Sequence, residues 1–450
     1  MTTNDLISGQ LLFSKLRIDL DKVPIEQLAD YTAVEYYLTV EDESPENVDN
    51  LDKVKRYLGA FYHLHKVKNW AAASNILFSP ILSLDGNYLS KQLDDWNYYQ
   101  NEIQLCSDLL YKFNSETDIL CLKGLGDAYI DLSRYDEAKT LYQNSLELAQ
   151  RINDRKSQIS CYVCLGLICE YQGEYQQAIE YYQNGLPIST EIEDCIGRAK
   201  LIGNLSLAYF YLDIYEKAIE YGEESLKIFQ EEKYSNGEAF ALVNLGAVYA
   251  FIGENDKAEE YSQKSLEIFR AIGDRSGEAE SLNILGLAYR NKKKYLQAIK
   301  SHLQQLSLVR EIEALRGESY AVGNLSILYE IMGNYDEAVI YAQRHLEISI
   351  ATGDRRGQGA GLHELGVAFI GKQDFLSALE SLQSAIKIFK DVSSRSEELD
   401  ALLDIARVYR DIGRYTEALS ACTEALALAT DLESPLVEEC RELKEEILKR

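Results

Sequence analysis

The sequence is poor in proline and in basic residues, and it has no long apolar run. Only 5 of its 450 residues are proline and 27 are glycine, which excludes a collagen-like or low-complexity chain. Lys and Arg number 46 against 73 Asp and Glu, a formal net charge of −27 that repels phosphate backbones and anionic lipid headgroups. No apolar run approaches the roughly 18 residues that span a bilayer. We therefore expect an acidic protein that neither binds nucleic acid nor inserts into a membrane.

Signals for secretion and for metal binding are also missing. Residues Met1 to Gln10 lack the basic and apolar regions of a signal peptide, so we expect a cytoplasmic protein. The tightest group among the eight cysteines is Cys161, Cys164 and Cys169, on one predicted helix, with none of the five histidines nearby in sequence. Zinc sites usually draw ligand pairs from two separated segments. We expect reduced, mostly structural cysteines and predict no metal and no cofactor.

The most prominent feature of the sequence is a repeat of 40 residues. An aliphatic residue, the anchor, recurs at Leu125, Leu165, Leu205, Leu245, Leu285, Leu325, Leu365 and Ile405. A small residue always follows the anchor: Gly126, Gly166, Ser206, Gly246, Gly286, Ser326, Gly366 and Ala406. Glycine inside a helix costs about 1 kcal/mol relative to alanine, so its recurrence predicts that two helices approach closely here.

Two further columns of the repeat indicate two helices in each unit. Four residues after the anchor stand Tyr129, Cys169, Tyr209, Tyr249, Tyr289, Tyr329, Phe369 and Tyr409, one turn away on the same face of a first helix. Thirteen residues after it stand Ala138, Ala178, Ala218, Ala258, Ala298, Ala338, Ala378 and Ala418. An alanine in all eight units predicts a crowded contact of a second helix, where added methylenes cost roughly 1–3 kcal/mol.

Glycine and aspartate mark the ends of these helices. Breaks such as Gly173-Glu174-Tyr175, Gly333-Asn334-Tyr335 and Gly413-Arg414-Tyr415 place glycine where it can take the left-handed conformation that ends a helix. Joints such as Gly273-Asp274-Arg275 and Gly353-Asp354-Arg355 predict a helix stop followed by a capped start. Each unit is thus a helix hairpin. We predict an all-α fold, a right-handed superhelical α-solenoid of stacked helix hairpins with an extended concave surface.

The solenoid divides the chain into three predicted parts. These are a divergent helical N-terminal cap with degenerate repeats (1–115), eight 40-residue units (116–430) and a C-terminal capping helix (431–450). In the cap, Tyr57 to Tyr62 predicts a first helix and Trp70 to Ala73 the start of a second, while Asp94 to Tyr99 and Leu105 to Phe113 predict another pair. The acidic segment Glu41 to Glu46 is interpreted as a solvated loop, with a docking tail as the alternative.

The small residue, the aromatic and the alanine together resemble the signature of tetratricopeptide repeats, whose usual period is about 34 residues. The 40-residue period, with joints such as Gly273-Asp274-Arg275, resembles the repeats of Partner-of-Inscuteable-type G-protein-signalling modulators and the arrays of bacterial signalling proteins. The resemblance to the fold of this family covers about residues 116 to 430. It implies that a peptide or protein segment binds along the concave face formed by the first helices.

The residues narrow what such a groove can bind. Family members that clamp a C-terminal carboxylate carry an asparagine two residues after the anchor, where this chain has Asp127, Leu167, Leu207, Ala247, Leu287, Ile327, Val367 and Arg407. A carboxylate clamp is therefore disfavoured. We predict instead an apolar groove floor that suits a segment with apolar anchors. The candidate groove residues are Asn204, Tyr211, Asn244, Phe251, Asn283, Arg290, Asn291, Tyr320, Asn324 and Glu330.

Two structural alternatives stay open for these residues. The side chains two positions after the anchor can instead be buried between adjacent first helices, and the asparagines can be solvated helix residues. No nucleophile with its base and no phosphate-binding loop occurs in a credible context, since Gly124-Leu125-Gly126 follows no strand. We predict a non-catalytic scaffold or adaptor that binds a protein or peptide. A ligand-responsive sensor that changes its superhelical shape is the alternative, and an enzyme is a minor one.

Overall fold

The structure, a computed structural model, describes residues 3–40, 50–80, 87–96 and 98–450, and their side chains from residue 9 onward. Over these residues the chain forms 23 α-helices and one 3₁₀ turn at Leu20–Lys22, with no β-strand. Within each of the two compact units described below, consecutive helices pack as hairpins that stack in chain order. The predicted all-α architecture of stacked helix hairpins is confirmed. The predicted acidic loop from Glu41 to Glu46 lies outside the described residues.

The chain divides into two compact units, an N-terminal unit of Met1–Ile228 and a C-terminal unit of Phe229–Arg450. The helices that begin in the N-terminal unit are α1 (Thr3–Leu16), α2 (Leu28–Thr39), α3 (Asn50–Lys66), α4 (Trp70–Phe78), α5 (Leu89–Asp95), α6 (Tyr99–Leu109), α7 (Ser115–Asp131), α8 (Tyr135–Arg151), α9 (Arg155–Tyr171), α10 (Tyr175–Glu191), α11 (Cys195–Tyr211) and α12 (Tyr215–Glu231). The C-terminal unit contains α13 (Ser235–Phe251), α14 (Asn255–Ile272), α15 (Arg275–Asn291), α16 (Tyr295–Glu311), α17 (Leu315–Ile331), α18 (Tyr335–Thr352), α19 (Arg355–Gly371), α20 (Phe375–Asp391), α21 (Arg395–Asp411), α22 (Tyr415–Asp431) and α23 (Val437–Leu448).

The part of the N-terminal unit that precedes α7 is helical but irregular. The predicted pair from Tyr57 and Trp70 is present as α3 and α4, whose buried side chains form one core with those of α5 and α6. The second predicted pair is misplaced, because Trp96 ends α5 and α6 stops at Leu109. Tyr111 then adopts a positive φ of 60°, which an α-helix does not allow. Helical periodicity alone did not locate this turn.

The turns recur at a constant spacing from Ser133 onward, which is half of the repeat period. Each turn contains one residue in the left-handed conformation: Ser133, Asn153, Gly173, Glu193, Asp213, Lys233, Gly253, Gly273, Lys293, Glu313, Gly333, Gly353, Gln373, Ser393, Gly413 and Glu433. The turn inside a hairpin and the turn between hairpins are therefore evenly placed along the chain. Glycine was predicted in this conformation and is confirmed, for example at Gly333 with a φ of 76°.

Aspartate begins several of the first helices, as the joints predicted. The carboxylate of Asp274 accepts a hydrogen bond from the backbone N–H of Gly277 at 2.9 Å, and that of Asp354 does the same for Gly357 at 2.9 Å. Each bond satisfies an N–H that has no partner inside the helix. The predicted capped starts are confirmed.

The small residue after the anchor lies against the second helix of its own hairpin. A Cβ atom on Gly126 would lie 2.5 Å from the ring of Tyr142, and one on Gly366 would lie 2.6 Å from Cγ of Leu382. The contacted residue stands seventeen positions after the anchor, at Tyr142, Tyr182, Gly222, Ser262, His302, Ala342, Leu382 and Cys422. The two columns compensate in size in seven of the eight hairpins, because four glycines face a large side chain and Ser206, Ser326 and Ala406 face the small Gly222, Ala342 and Cys422, whereas Gly246 faces the small Ser262. The predicted close approach is confirmed.

The alanine column is buried throughout. All eight alanines have no exposed surface. Where serine follows the anchor, its hydroxyl donates to the carbonyl of the alanine in the same hairpin: Ser326 to Ala338 at 3.1 Å and Ser206 to Ala218 at 2.5 Å. The first and second helices are therefore close enough for a side-chain-to-backbone hydrogen bond, and a larger side chain in place of the fully buried alanine would overpack this contact.

Glutamates at the start of first helices join consecutive hairpins. Glu318 of α17 is buried and accepts hydrogen bonds from Nε of Arg310 on α16 at 3.0 Å and from Nε of Arg344 on α18 at 3.0 Å. One repeat earlier, Glu278 of α15 accepts a hydrogen bond from Nε of Arg270 on α14 at 2.7 Å. The bonds from Arg270 and Arg310 fix α15 and α17 against their preceding hairpins.

Candidate functional site: the first-helix face

The first helices of the C-terminal unit form a continuous layer. α13, α15, α17, α19 and α21 each pack directly on the next one, in addition to their own second helices. Side chains just before the anchor connect neighbours, since Nδ2 of Asn324 on α17 donates to Oδ1 of Asn283 on α15 at 3.2 Å. The first-helix face is the surface made by Asn244, Ala247, Phe251, Asn283, Leu287, Arg290, Asn291, Tyr320, Asn324, Ile327, Glu330, His363, Val367, Asp404 and Arg407.

The three asparagines before the anchor are not equivalent. Asn283 and Asn324 are partly buried and hydrogen-bonded to each other, so part of their hydrogen-bonding capacity holds α15 and α17 together. Asn244 is partly buried and forms no side-chain hydrogen bond with any residue that the structure describes. Its amide is the one of the three whose donors and acceptor are all available to a ligand.

Asn291 and Phe251 end α15 and α13, and Tyr320 lies on the second turn of α17. Nδ2 of Asn291 donates to the backbone carbonyl of Ala250 at 2.9 Å and so ties the end of α15 to that of α13. Phe251 is 63% exposed and Tyr320 is 54% exposed, with the guanidinium of Arg316 5.9 Å from the centre of the Tyr320 ring. The two aromatic rings offer apolar surface that the core does not use.

Arg290 and Glu330 occupy the same repeat position on α15 and α17, five residues after the anchor. Both are partly buried, and neither forms a hydrogen bond or an ion pair within the described part of the chain. Burial lowers the pKa of the Arg290 guanidinium. Burial, together with the charge of Asp404, raises the pKa of the Glu330 carboxyl. Each charged group thus lies in a partly dehydrated environment without a partner.

Two predicted residues belong to the N-terminal unit. Asn204 of α11 is partly buried. Tyr211 ends α11, and its ring stacks on that of Tyr175 at the start of α10, with 4.9 Å between ring centres and 16° between planes. Tyr135 and Tyr171 stack in the same way one hairpin earlier, at 5.5 Å. This stacking makes Tyr211 part of a contact between hairpins as well as a candidate for ligand binding.

The predicted groove floor is neither fully buried nor exposed. The side chains two positions after the anchor are partly buried in all eight hairpins. In the C-terminal unit four of them, Ala247, Leu287, Ile327 and Val367, are apolar. The fifth, Arg407, donates to Oδ1 of Asp404 at 2.7 Å and also binds Glu439. The apolar part of the floor therefore ends before α21.

A polar group at the α19 end of the face was not predicted from the sequence. Nε2 of His363 on α19 lies 3.0 Å from Oδ2 of Asp404 on α21, and Nδ1 of His345 on α18 lies 3.1 Å from both carboxylate oxygens of Glu364. His363 and Asp404 hold the same repeat positions as Asn283 and Asn324. The sequence signal for both is a polar residue of any type, and not asparagine alone, at the two positions before the anchor.

Sequence profiles of one protein family match most of this helical array. The sequence profile described as "Tetratricopeptide repeat" matches in overlapping pairs of units at 118–191, 157–231, 196–271, 237–311, 277–351 and 318–391, and a second profile with the same description matches 401–436. The chain belongs to the tetratricopeptide-repeat family. No curated protein sequence gives a significant match over the chain.

Solved structures share the tetratricopeptide-repeat (TPR) fold at low sequence identity. A Rap protein complexed with Competence and Sporulation Factor is 15% identical, with a TM-score of 0.55, and the match covers 85% of this chain and 99% of that one. A STAND protein with a tetratricopeptide repeat sensor from Pyrococcus horikoshii is 15% identical, with a TM-score of 0.55 and coverages of 98% and 74%. The apo quorum sensor NprR from B. thuringiensis is 16% identical, with a TM-score of 0.51 and coverages of 84% and 99%.

The described part of this TPR chain shows neither a membrane-spanning helix nor a metal-binding cluster. No helix within the described residues is long and apolar enough to cross a membrane. No group of three or more His, Cys, Asp or Glu side chains in the same residues is arranged to hold a metal ion. Cys161, Cys164 and Cys169 all lie on α9, and the first and last of them are buried.

The His363 contact makes stability depend on pH. Burial lowers the pKa of His363, but the hydrogen bond and charge of Asp404, with Asp400 and Glu364 nearby, outweigh burial and raise it above its ordinary value. A histidine with a raised pKa contributes stability below the unfolded pKa, about 6.5, and loses it as pH rises through the folded pKa.

We expect His363→Gln to lower the free energy of unfolding by about 1–2 kcal/mol at pH 5.5, because a charge-assisted hydrogen bond is lost. The difference from the unsubstituted protein should shrink by pH 9, where His363 is neutral in both states. Urea denaturation at the two pH values measures this. An equal loss at both pH values contradicts the assignment of the charge to His363.

Proposed function

We propose that the chain is a non-catalytic interaction scaffold and that the first-helix face of its C-terminal unit binds a segment of a partner protein. Membership in the TPR family supports binding as the general role. The observation that carries the proposal is the composition of this face. It combines a partly buried apolar floor with the exposed rings of Phe251 and Tyr320 and the unbonded amide of Asn244. Such a surface can hold apolar side chains and bond to the backbone between them.

Photo-crosslinking from the face tests the proposal. Tyr320 is replaced by the photoreactive amino acid benzoylphenylalanine, an aromatic substitution at a half-exposed site, and the full chain is irradiated in a lysate of the source cells. Leu376 on α20 is the control, because it is 71% exposed and belongs to a second helix. We expect a defined crosslinked protein from position 320 and not from position 376. The same products from both positions, or none from position 320, contradict the proposal.

Asparagine substitutions then show whether the amides take part. We expect Asn244→Ala to reduce the yield of the crosslink at position 320 without changing helicity by circular dichroism. Asn324→Ala should also reduce it, but this variant removes the bond to Asn283 as well, so Asn244→Ala is the cleaner test. An unchanged crosslink yield with Asn244→Ala would show that the partner contacts another surface.

A peptide-responsive sensor is the second candidate. It is favoured by the solved Rap structure, which contains Competence and Sporulation Factor, and by NprR, which is described as a quorum sensor. In this chain the His345–Glu364 and His363–Asp404 contacts connect neighbouring helices through groups that a ligand can displace. X-ray scattering with and without the crosslinked segment tests the idea, and equal dimensions in the two states count against it.

An enzyme is the minor alternative, and a screen for turnover of candidate substrates by the purified chain tests it.

A further inference from the structure

Arg290 differs from the other arginines around it. Arg290 lies on the last turn of α15, is partly buried, and has no hydrogen-bond or ion-pair partner among the described residues, although its charge acts on the buried His302 of α16. Arginine stays protonated at any physiological pH, so it cannot escape the cost of burial by losing its charge. An anionic group that comes from outside the chain removes this cost.

Nearby arginines show that the chain pairs such groups where pairing is structural. Arg310 and Arg344 share Glu318, although both arginines are about half exposed. Arg410, five residues after the anchor like Arg290, pairs with Asp411 at 2.9 Å and with Glu446 at 2.8 Å. In a chain with 73 acidic residues, the unpaired state of Arg290 is a local exception on the face that the proposed function assigns to a ligand.

The next first helix carries the opposite charge at the same repeat position. Glu330 on α17 is partly buried and has no hydrogen bond or ion pair to a described residue. The pKa of Arg290 responds to burial alone, so the two groups do not neutralise each other. The charged groups that act on Glu330 are Asp404 and His363, on α21 and α19. A cation bound at Glu330 relieves the repulsion from Asp404.

We propose that the bound segment places an aspartate or glutamate side chain on Arg290 and a lysine or arginine side chain on Glu330. This inference rests on the proposed function and adds the chemistry of the partner to it. Adjacent packed helices are about 8–10 Å apart, and an extended chain advances about 3.3 Å per residue, so the two charges of the segment lie about three residues apart. The guanidinium fork suits a carboxylate, which it binds with two parallel hydrogen bonds.

A random peptide library tests this pattern directly. A phage-displayed library of 12-residue peptides is selected on the immobilised full chain, and enriched peptides are synthesised with amidated C-termini. We expect enriched sequences to share an acidic and a basic residue separated by about three positions. Binding of such a peptide should weaken at least about tenfold with Arg290→Gln. Arg441→Gln is the control for net charge, because Arg441 lies on α23 in an exposed pair with Glu438 at 3.0 Å.

The double variant Arg290→Glu with Glu330→Arg separates recognition from misfolding. It should lose the original peptides and bind peptides in which the acidic and basic residues are exchanged. Enriched peptides without the charge pair, binding unchanged by Arg290→Gln, or binding that requires a free C-terminal carboxylate would overturn the inference and leave the proposed function standing. If no peptide is enriched and crosslinking at position 320 also gives no product, the proposed function fails, and this inference fails with it.

Discussion

Gly366→Ser is expected to lower the free energy of unfolding by roughly 1–3 kcal/mol, the usual cost of overpacking a core. A Cβ atom on Gly366 would lie 2.6 Å from Cγ and 2.7 Å from Cδ2 of Leu382, whose side chain is fully buried. Leu382→Ala alone is expected to cost about 2–5 kcal/mol, because it leaves a cavity. The preceding hairpin already holds the pair Ser326 and Ala342 at these positions.

The double variant Gly366→Ser with Leu382→Ala should lose less unfolding free energy than the sum of the losses of the two single variants. Serine at 366 can donate to the carbonyl of Ala378, which lies 3.5 Å from the Cβ position, as Ser326 does to Ala338. We expect a coupling energy of at least about 1 kcal/mol from denaturation of the four proteins. Gly366→Ser combined with Ile388→Ala, nearly two turns further along α20, is the control and should be additive. Additive losses at 366 and 382 would show that the two columns do not compensate.

Glu318→Gln is expected to lower the free energy of unfolding at pH 7 by about 2 kcal/mol, because charge-assisted hydrogen bonds from two arginines are weakened. The figure lies below the roughly 3–5 kcal/mol of a fully buried broken pair, since Arg310 and Arg344 are about half exposed. Burial alone raises the pKa of Glu318, but the hydrogen bonds and charges of Arg344 and Arg310 outweigh it and lower the pKa.

The sign of this shift fixes the pH dependence. A carboxyl with a lowered pKa contributes stability above its unfolded pKa, about 4.3, and loses it as pH falls through the folded pKa. The difference between Glu318→Gln and the unsubstituted protein should therefore shrink from pH 7 to pH 3 in urea denaturation. Glu347→Gln is the matched control, because Glu347 is exposed and lies 3.5 Å from Arg344. Equal losses for the two variants, or a loss independent of pH, would contradict the role of Glu318.

Much of the helical array was predictable because its columns obey simple rules. The anchor, the small residue and the alanine predicted two helices per unit, and the structure has them. The size compensation between Gly366 and Leu382 was present in the sequence too, but it becomes visible only when one knows which residues of the two helices meet. The break between α5 and α6 was not predictable, since no glycine or proline marks it.

The candidate site was harder to predict, because spacing gives the position of a side chain but not its partner. Asn324 and Asn244 occupy the same position, one residue before the anchor, yet the structure shows Asn324 bonded to Asn283 and Asn244 unbonded. The position of Arg290 in the repeat made it a candidate. Its lack of an ion partner could not be predicted, because that depends on the side-chain orientation of every nearby carboxylate. His363 and Asp404 were not predicted as site residues, because only asparagine was considered at the two positions before the anchor.

The equal spacing of left-handed residues makes the number of hairpins adjustable. Removing residues 275–314 would join Asp274 to Leu315 and leave the capping aspartate at the start of the following helix, with the same turn before it. Internal duplication or loss of one whole repeat therefore preserves the turns and the capped helix starts that join successive hairpins. Array length can change in evolution or by design without a new kind of joint, while the order of face residues such as Arg290 and Glu330 changes with each event.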